Sequence, residues 1–231
     1  MRRTTIFTRE QLRAPFTLSL LIGVPSLFVV SADSVLHDFS RALGGSLTSE
    51  AAVGLSAGWA AAFLSGSLGY FAAASSRGSD RRLVVAGLGP ARMATSRIVA
   101  TVTLATIAAS AAFAALEVRS PMVHPWHAAA AIVAFAWLYL GVGVVVGSVV
   151  ADPLEGSLIV VFVFILDVFS GPGMARAAPP WAISQEPANI LIAAGRGESS
   201  LMITWLYLGL FVAGSLLAAF SAFVISARRR S

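Results

Sequence analysis

The sequence predicts an all-α integral membrane protein with six transmembrane helices. Three observations predict it. Hydrophobic residues fill 57% of the 231 positions and charged residues only 12%, against roughly 25% charged in an ordinary soluble domain. The apolar residues come in long runs, and about 20 of them suffice to cross a bilayer at about 1.5 Å rise per residue. Arginine is spread unevenly among the segments that join those runs, as expected where basic residues are retained on the cytoplasmic side. No repeat of fixed period and no low-complexity linker divides the chain, so residues 1–231 read as one domain.

The elements follow in order. Met1 to Ala14 places Arg2, Arg9 and Arg13 on one side of a helical wheel, with Ile6 beside them and Phe7 elsewhere. It reads as an interfacial helix leading to Pro15, the alternative being a basic tail. The spans are Pro15–Ala32, Ala51–Ser75, Ile98–Val118, Ala128–Val150, a short one at Leu154–Ser170, and Leu201–Ile225. The start also has the basic head, apolar middle and Val30-Ser31-Ala32 of a secretory leader. The charge balance works best with that segment retained as a span. Six spans put both termini on one side. With that side cytoplasmic, Arg2, Arg3, Arg9, Arg13, Arg77, Arg81, Arg82, Arg92, Arg97, Arg228, Arg229 and Arg230 lie inside. Arg41, Arg119, Arg176 and Arg196 lie outside, together with His37, His124 and His127. The inward bias fixes the orientation.

Absences exclude chemistry. All basic residues are arginine, and there is no lysine and no cysteine. The chain therefore has no phosphate-loop lysine for a nucleotide site, no Schiff-base lysine, and no disulfide, thiolate nucleophile or cysteine–zinc site. The net charge of +5 reads as basic residues flanking spans, not as a nucleic-acid surface. No catalytic residue, cofactor or metal ligand is expected on this chain.

The segment between the second and third spans, Ser75 to Ile98, carries five arginines, one acid and a Gly-x-Gly-Pro corner at Gly87–Pro90. Ser79 or Asp80 could cap a short helix, Gly87 and Gly89 could end it, and Pro90 suits the first turn of the next. The expectation is a separate helix at the membrane surface. Val84 and Leu88, one turn apart, would form an apolar knob among Arg81, Arg82 and Arg92. The plainer alternative is a basic loop that fixes orientation at the headgroups.

Phe169 to Gly195 follows the short span and holds four prolines after Gly171 and Trp181. It suits broken helices dipping into the far leaflet where protein surrounds them, or a plain loop anchored by Trp181. Asp167 lies within the fifth span, and an intramembrane carboxylate is a functional candidate. Its place near the span's end suggests that water reaches it. His124 and His127 make a weak metal pair, with no carboxylate or thiolate nearby in sequence. Gly54-x3-Gly58 and Gly143-x3-Gly147 allow close helix contact, most simply within the chain.

Taken together, this layout resembles the membrane (permease) subunit of type-2 ABC exporters. Arg81-Arg82-Leu83 … Ala86-Gly87-Leu88-x-Pro90-x-Arg92 is similar to the family's coupling segment. Phe169-Ser170-Gly171 … Pro179-Pro180-Trp181 … Pro187 is similar to its proline-rich run before the last span. The family's coupling segment often starts rich in Glu-Arg-Glu, whereas here Asp80 is the only acid. The resemblance implies a cytoplasmic coupling helix (Arg81, Arg82, Leu83, Val84, Leu88, Arg92) docked in a groove of a separate ABC ATPase subunit. That subunit would carry ATP and Mg. It also implies a second permease subunit, identical or not, and extracellular re-entrant helices before the last span. Asp167, Phe169 and Trp181 would lie on a substrate path or outer gate, and Ala151–Ser157 would be a minor second contact. The cargo would be amphipathic, lipid-like or drug-like, and the location the bacterial cytoplasmic membrane. A non-transporting anchor or immunity protein, and an ion-coupled carrier using Asp167, are the alternatives.

Overall fold

The computed structural model describes residues 15–87, 89–150, 152–172, 174, 182–198 and 200–228, with the side chains at 15–21, 32–33, 80–81, 85 and 228 outside that description. Among the described residues seven helices follow one another: α1 Pro15–Ala42, α2 Ser49–Val85, α3 Pro90–Arg119, α4 Pro125–Val149, α5 Pro153–Ser170, α6 Gln185–Arg196 and α7 Met202–Arg228. The described residues contain no strand. Five helices, α2, α3, α4, α5 and α7, are long and apolar enough to cross a membrane, and α1 makes a sixth when its two bent halves count as one span. The chain is an all-helical, multi-pass membrane protein. The expected interfacial helix, Met1–Ala14, lies outside the described residues.

Two elements depart from the expected bounds. The first span does not stop at Ala32: α1 runs on to Ala42, with a 57° bend between Ile22–Ser31 and Ser34–Ala42. Ser31 Oγ bonds the Leu27 carbonyl at 2.8 Å in the turn before the bend, the back-bonding that tilts helices. Beyond the bend the helix is held from outside itself. Ser40 Oγ accepts the Leu47 N–H at 3.1 Å, and His37 Nδ1 lies 2.9 Å from the Leu47 carbonyl oxygen. Gly44, at φ +73, turns the chain back between them.

The second departure is larger. No separate helix begins at Ser79 or Asp80. Thr48 caps α2 by accepting the Ala51 N–H at 3.3 Å, and Glu50 sits in the favourable first turn. From there α2 continues unbroken for 37 residues to Val85. Ser79 Oγ bonds back to the Ser76 carbonyl at 2.9 Å, so it spends its oxygen inside the helix and opens no new one. The break comes at Gly87, whose φ of +93 is a conformation open chiefly to glycine. Pro90 then opens α3 at its first turn, as expected. At the usual rise α2 is about 55 Å long, more than the ~40–45 Å of a bilayer with its headgroups.

The helices alternate direction, which gives the bundle two ends. The elbow end carries the corner after Val85, and on the same side Val150 and Asp152 meet α2 at Arg77 and Tyr70, short of that corner. The opposite end carries the turns at 43–48 and 120–124, together with α6. The most extensive contact joins α2 to α4, and glycine makes it possible. A Cβ on Gly143 would press into the Gly66 carbonyl and lie 2.9 Å from the Tyr70 nitrogen; one on Gly147 would meet Tyr70 and Ala73. The Gly143-x3-Gly147 spacing thus serves packing within the chain. On another face of α4, Gly141 admits α7, where Ser215 Oγ bonds the Leu138 carbonyl at 2.9 Å. α5 and α7 turn most of their apolar side chains outward, among them Leu158, Phe162, Leu210 and Phe211, as expected of helices bathed in lipid.

Gly143→Val would force α2 and α4 apart. We expect it to lower the unfolding temperature of the detergent-purified chain by the equivalent of about 1–3 kcal/mol. Gly209→Ala, where a Cβ meets nothing within 4 Å, should leave it unchanged or raise it slightly.

Candidate functional site

Two clusters of polar side chains hold the α2–α4 pair, one at the last turn of α4 and one beside its middle. At the elbow end, Arg77 of α2 reaches the last turn of α4. Its Nε donates to the Gly147 carbonyl at 3.0 Å, and its Nη2 donates to the Gly147 and Val150 carbonyls. These carbonyls lack helical partners and carry the negative end of the helix dipole, so a guanidinium there satisfies both. Two turns of α2 away, Tyr70 Oη donates to the Asp152 carbonyl at 2.8 Å, and its ring packs on Gly156. Asp152 in turn caps α5, accepting the Leu154 and Glu155 N–H groups at 2.8 and 3.2 Å. The start of α5, Asp152 onward, therefore sits against α2 at Tyr70, about four turns before the corner.

Beyond this clasp stands the corner itself. Arg82 and Arg92 are exposed on its two sides, Leu83 is an exposed apolar side chain, and Val84 is half-buried. Arg81 belongs to α2, but its side chain lies outside the described residues, as does Leu88. Met93 and Ala94 are buried and anchor the start of α3. α2 ends at Val85 and Gly87 follows at φ +93; Leu88, the other half of the expected knob, lies outside the described residues.

In the second cluster, Asp167 lies in the last turn of α5 and is only 3% exposed. This corrects the expectation that water reaches it. Its carboxylate accepts a hydrogen bond from Tyr139 Oη of α4, and the Ser184 N–H lies 3.1 and 3.3 Å from its two oxygens. Two donors from two other segments thus stand in for water around a buried acid. Ser184 Oγ is fully buried and has no hydrogen-bond partner among the described residues. Phe169 is half-buried, its ring 5.7 Å from that of Phe39 in α1. Trp181 lies outside the described residues. α6 packs inward through Pro187, Ile190 and Leu191 and ends at Gly197, φ +73.

The rings of His124 and His127 stand 5.4 Å apart, with Trp205 at 5.4 Å from His127. No group of three His, Cys, Asp or Glu side chains converges among the described residues. Along the membrane-facing side of α4 and α7 runs an apolar groove of about 720 Å³, lined by residues such as Leu138, Val142, Tyr207 and Phe211.

Sequence reasoning missed Arg77, Tyr139 and Ser184 as positioned groups. A signal existed for Tyr139: a phenol in the middle of a glycine-rich span needs a partner when buried. The sequence matches no protein-family model, and no curated protein matches it significantly.

Tyr139→Phe should destabilise the fold by about 1–3 kcal/mol, since it leaves a buried carboxylate one donor short. Pairing it with Asp167→Asn in a thermal-unfolding double-mutant cycle should show the two changes to be non-additive.

Proposed function

We propose that this chain is the permease subunit of an ATP-driven exporter of the type-2 ABC class, working with a separate ATPase subunit. One observation supports this most: α2 is a single rod that runs the depth of the bundle and past bilayer thickness, and it ends at an arginine-flanked corner. A rod packed along α4 carries displacement at its tip into the bundle as rigid-body motion. The exposed Arg82, Leu83 and Arg92 offer a groove-filling apolar contact ringed by charge. Arg81 and Leu88 belong to the same proposed contact by sequence. With no lysine in the chain, ATP and Mg belong to the partner. The elbow end is then cytoplasmic, as are both termini, and the location is a bacterial cytoplasmic membrane.

A second permease subunit completes the transporter. The substrate class is amphipathic, lipid-like or drug-like, because the groove between α4 and α7 is almost wholly apolar and such pockets select apolar bodies. Asp167, Phe169 and, by sequence alone, Trp181 belong to the proposed substrate path or outer gate. The buried Asp167 favours a second reading, an ion-coupled carrier. Transport that survives ATP depletion but fails in Asp167→Asn would select that reading. A chain that purifies without any ATPase and moves nothing would be the anchor or immunity protein.

The charge reversal Arg81→Glu with Arg82→Glu is expected to abolish co-purification of the ATPase or to uncouple ATP hydrolysis from transport. Unchanged transport would overturn the coupling role. Single cysteines at Ser79 and Ser231, in a chain that has none of its own, should react only with a reagent supplied from the cytoplasm. Labelling of Ser79→Cys from outside would reverse the orientation.

A further inference from the structure

We propose that the groove between α4 and α7 is a binding site for one membrane phospholipid, with its chains in the groove and its anionic headgroup at the elbow end. The groove, of about 720 Å³, runs from Leu138 to Val146 on α4 and from Tyr207 to Ala218 on α7. Only Ser215 and Tyr207 bring a polar side-chain atom to its wall, and Ser215 Oγ already donates to the Leu138 carbonyl at 2.9 Å. Leu210 and Phe211 are more than half exposed, so the groove opens sideways, toward lipid. Along α7 the stretch from Ala218 to Tyr207 is about 16 Å deep at ~1.5 Å per residue. That is roughly half of the ~30 Å hydrocarbon core, the share that one leaflet's chains fill.

Polarity changes toward the elbow. A second cavity, of about 300 Å³, continues the groove and shares Val145 and Ala218 with it. Its wall adds three hydroxyls, those of Ser148, Ser221 and Ser226. Both α4 and α7 run toward the elbow end, so these hydroxyls lie on the elbow side of the apolar stretch. Ser148 Oγ and Ser226 Oγ donate to the Val145 and Phe223 carbonyls at 2.7 and 3.0 Å. Their hydrogens are spent, and their lone pairs are left to accept from a headgroup hydroxyl. Neither α4 nor α7 carries an acidic residue. By sequence Arg228, Arg229 and Arg230 come just after Ser226, and basic residues beside a span attract anionic lipid. An apolar slot that gives way to hydroxyls and then to positive charge matches an amphiphile with an anionic head. A compact drug-like body needs no such order.

Glycine keeps the groove open. A Cβ on Gly214, which lines it, meets nothing within 4 Å. Gly209 is equally unhindered but lines neither cavity. Two positions on one helix therefore separate filling the groove from altering α7. The inference deepens the lipid-like cargo proposed above and rests on that reading for the lipid's role, whereas binding itself needs no ATPase.

The test uses the full chain in detergent, titrated with phosphatidylglycerol or with phosphatidylcholine. Retained lipid is counted by native mass spectrometry, beside thermal unfolding. We expect one phosphatidylglycerol per chain, held about tenfold tighter than phosphatidylcholine, and a rise in unfolding temperature of about 2–4 °C at saturating lipid. Gly214→Trp should weaken binding of both lipids by about tenfold or more while unfolding like the wild type without lipid. Gly209→Trp should bind as the wild type does. The triple change Arg228→Gln, Arg229→Gln and Arg230→Gln should keep one lipid per chain and lose the preference for phosphatidylglycerol. The proposal is overturned if the wild type holds phosphatidylcholine as tightly, or if Gly214→Trp binds like the wild type. It is equally overturned if Gly209→Trp weakens binding as much as Gly214→Trp, or if the triple variant keeps the preference. Should Gly214→Trp fail to fold, Gly214→Leu decides the matter. The permease reading fails separately: no ATPase then co-purifies, yet the lipid still binds.

Discussion

The close approach of α2 to α4 governs the rest of the molecule. Inside a bilayer, apolar side chains gain little by leaving lipid for one another, so helices associate through van der Waals contact and hydrogen bonds. That makes backbone proximity valuable, and it is available only where side chains are absent. Gly66 on α2 and Gly143 and Gly147 on α4 provide it along one line. Gly141 repeats the device on another face of α4, toward α7. α4 thereby becomes the central post, in contact with α2, α3, α5, α6 and α7. The polar clasps on it, Arg77 on its last carbonyls and Tyr139, near its middle, on Asp167, work because the glycine seam has already set the distance between helices.

That seam also explains why α2 is one helix. Gly78, Ser79 and Asp80 are a plausible stop signal in isolation. In the fold, each local preference is worth a few tenths to about 1 kcal/mol, less than what the continuous helix secures. Arg77 bonds α4 from the turn just before these residues, and Ser76 and Ser79 keep their hydroxyls on helix carbonyls. The break moves to Gly87, where positive φ is freely available.

Much of the architecture was legible because it follows from local pattern. The apolar runs located the crossing helices to within several residues at most ends, since hydrophobic length is a property of the run itself. Pro90 at a helix start and Gly87 at a helix end were legible for the same reason: their backbone constraints are their own. What could not be read depended on partners distant in sequence. The continuation of α1 past Ala32 rests on Leu47 meeting Ser40. The burial of Asp167 depends on Tyr139 and on Ser184, and no periodicity announces either pairing. The position of Asp167 near a span's end argued for water, but α6 and its lead-in occupy that end.

A mechanical consequence follows for α5. Of the crossing helices it is the shortest, at 18 residues, and most of it faces outward. It has few packed neighbours, chiefly α2 and α4. Its position is set largely at its two ends: Tyr70 against Gly156 and Asp152 near its start, and Tyr139 and Ser184 on Asp167 near its finish. An element with little buried area between two polar attachments lies toward the low-stability end of a fold and is among the first to move as a unit. The first of these attachments belongs to α2 and lies two turns before Arg77. Displacement of the α2 tip therefore acts on the start of α5 through Tyr70, while its far end stays tethered at the carboxylate. In this bundle the path from the arginine-flanked corner to the opposite end need not pass through the rigid α2–α4 seam, because α5 offers a more compliant one beside it.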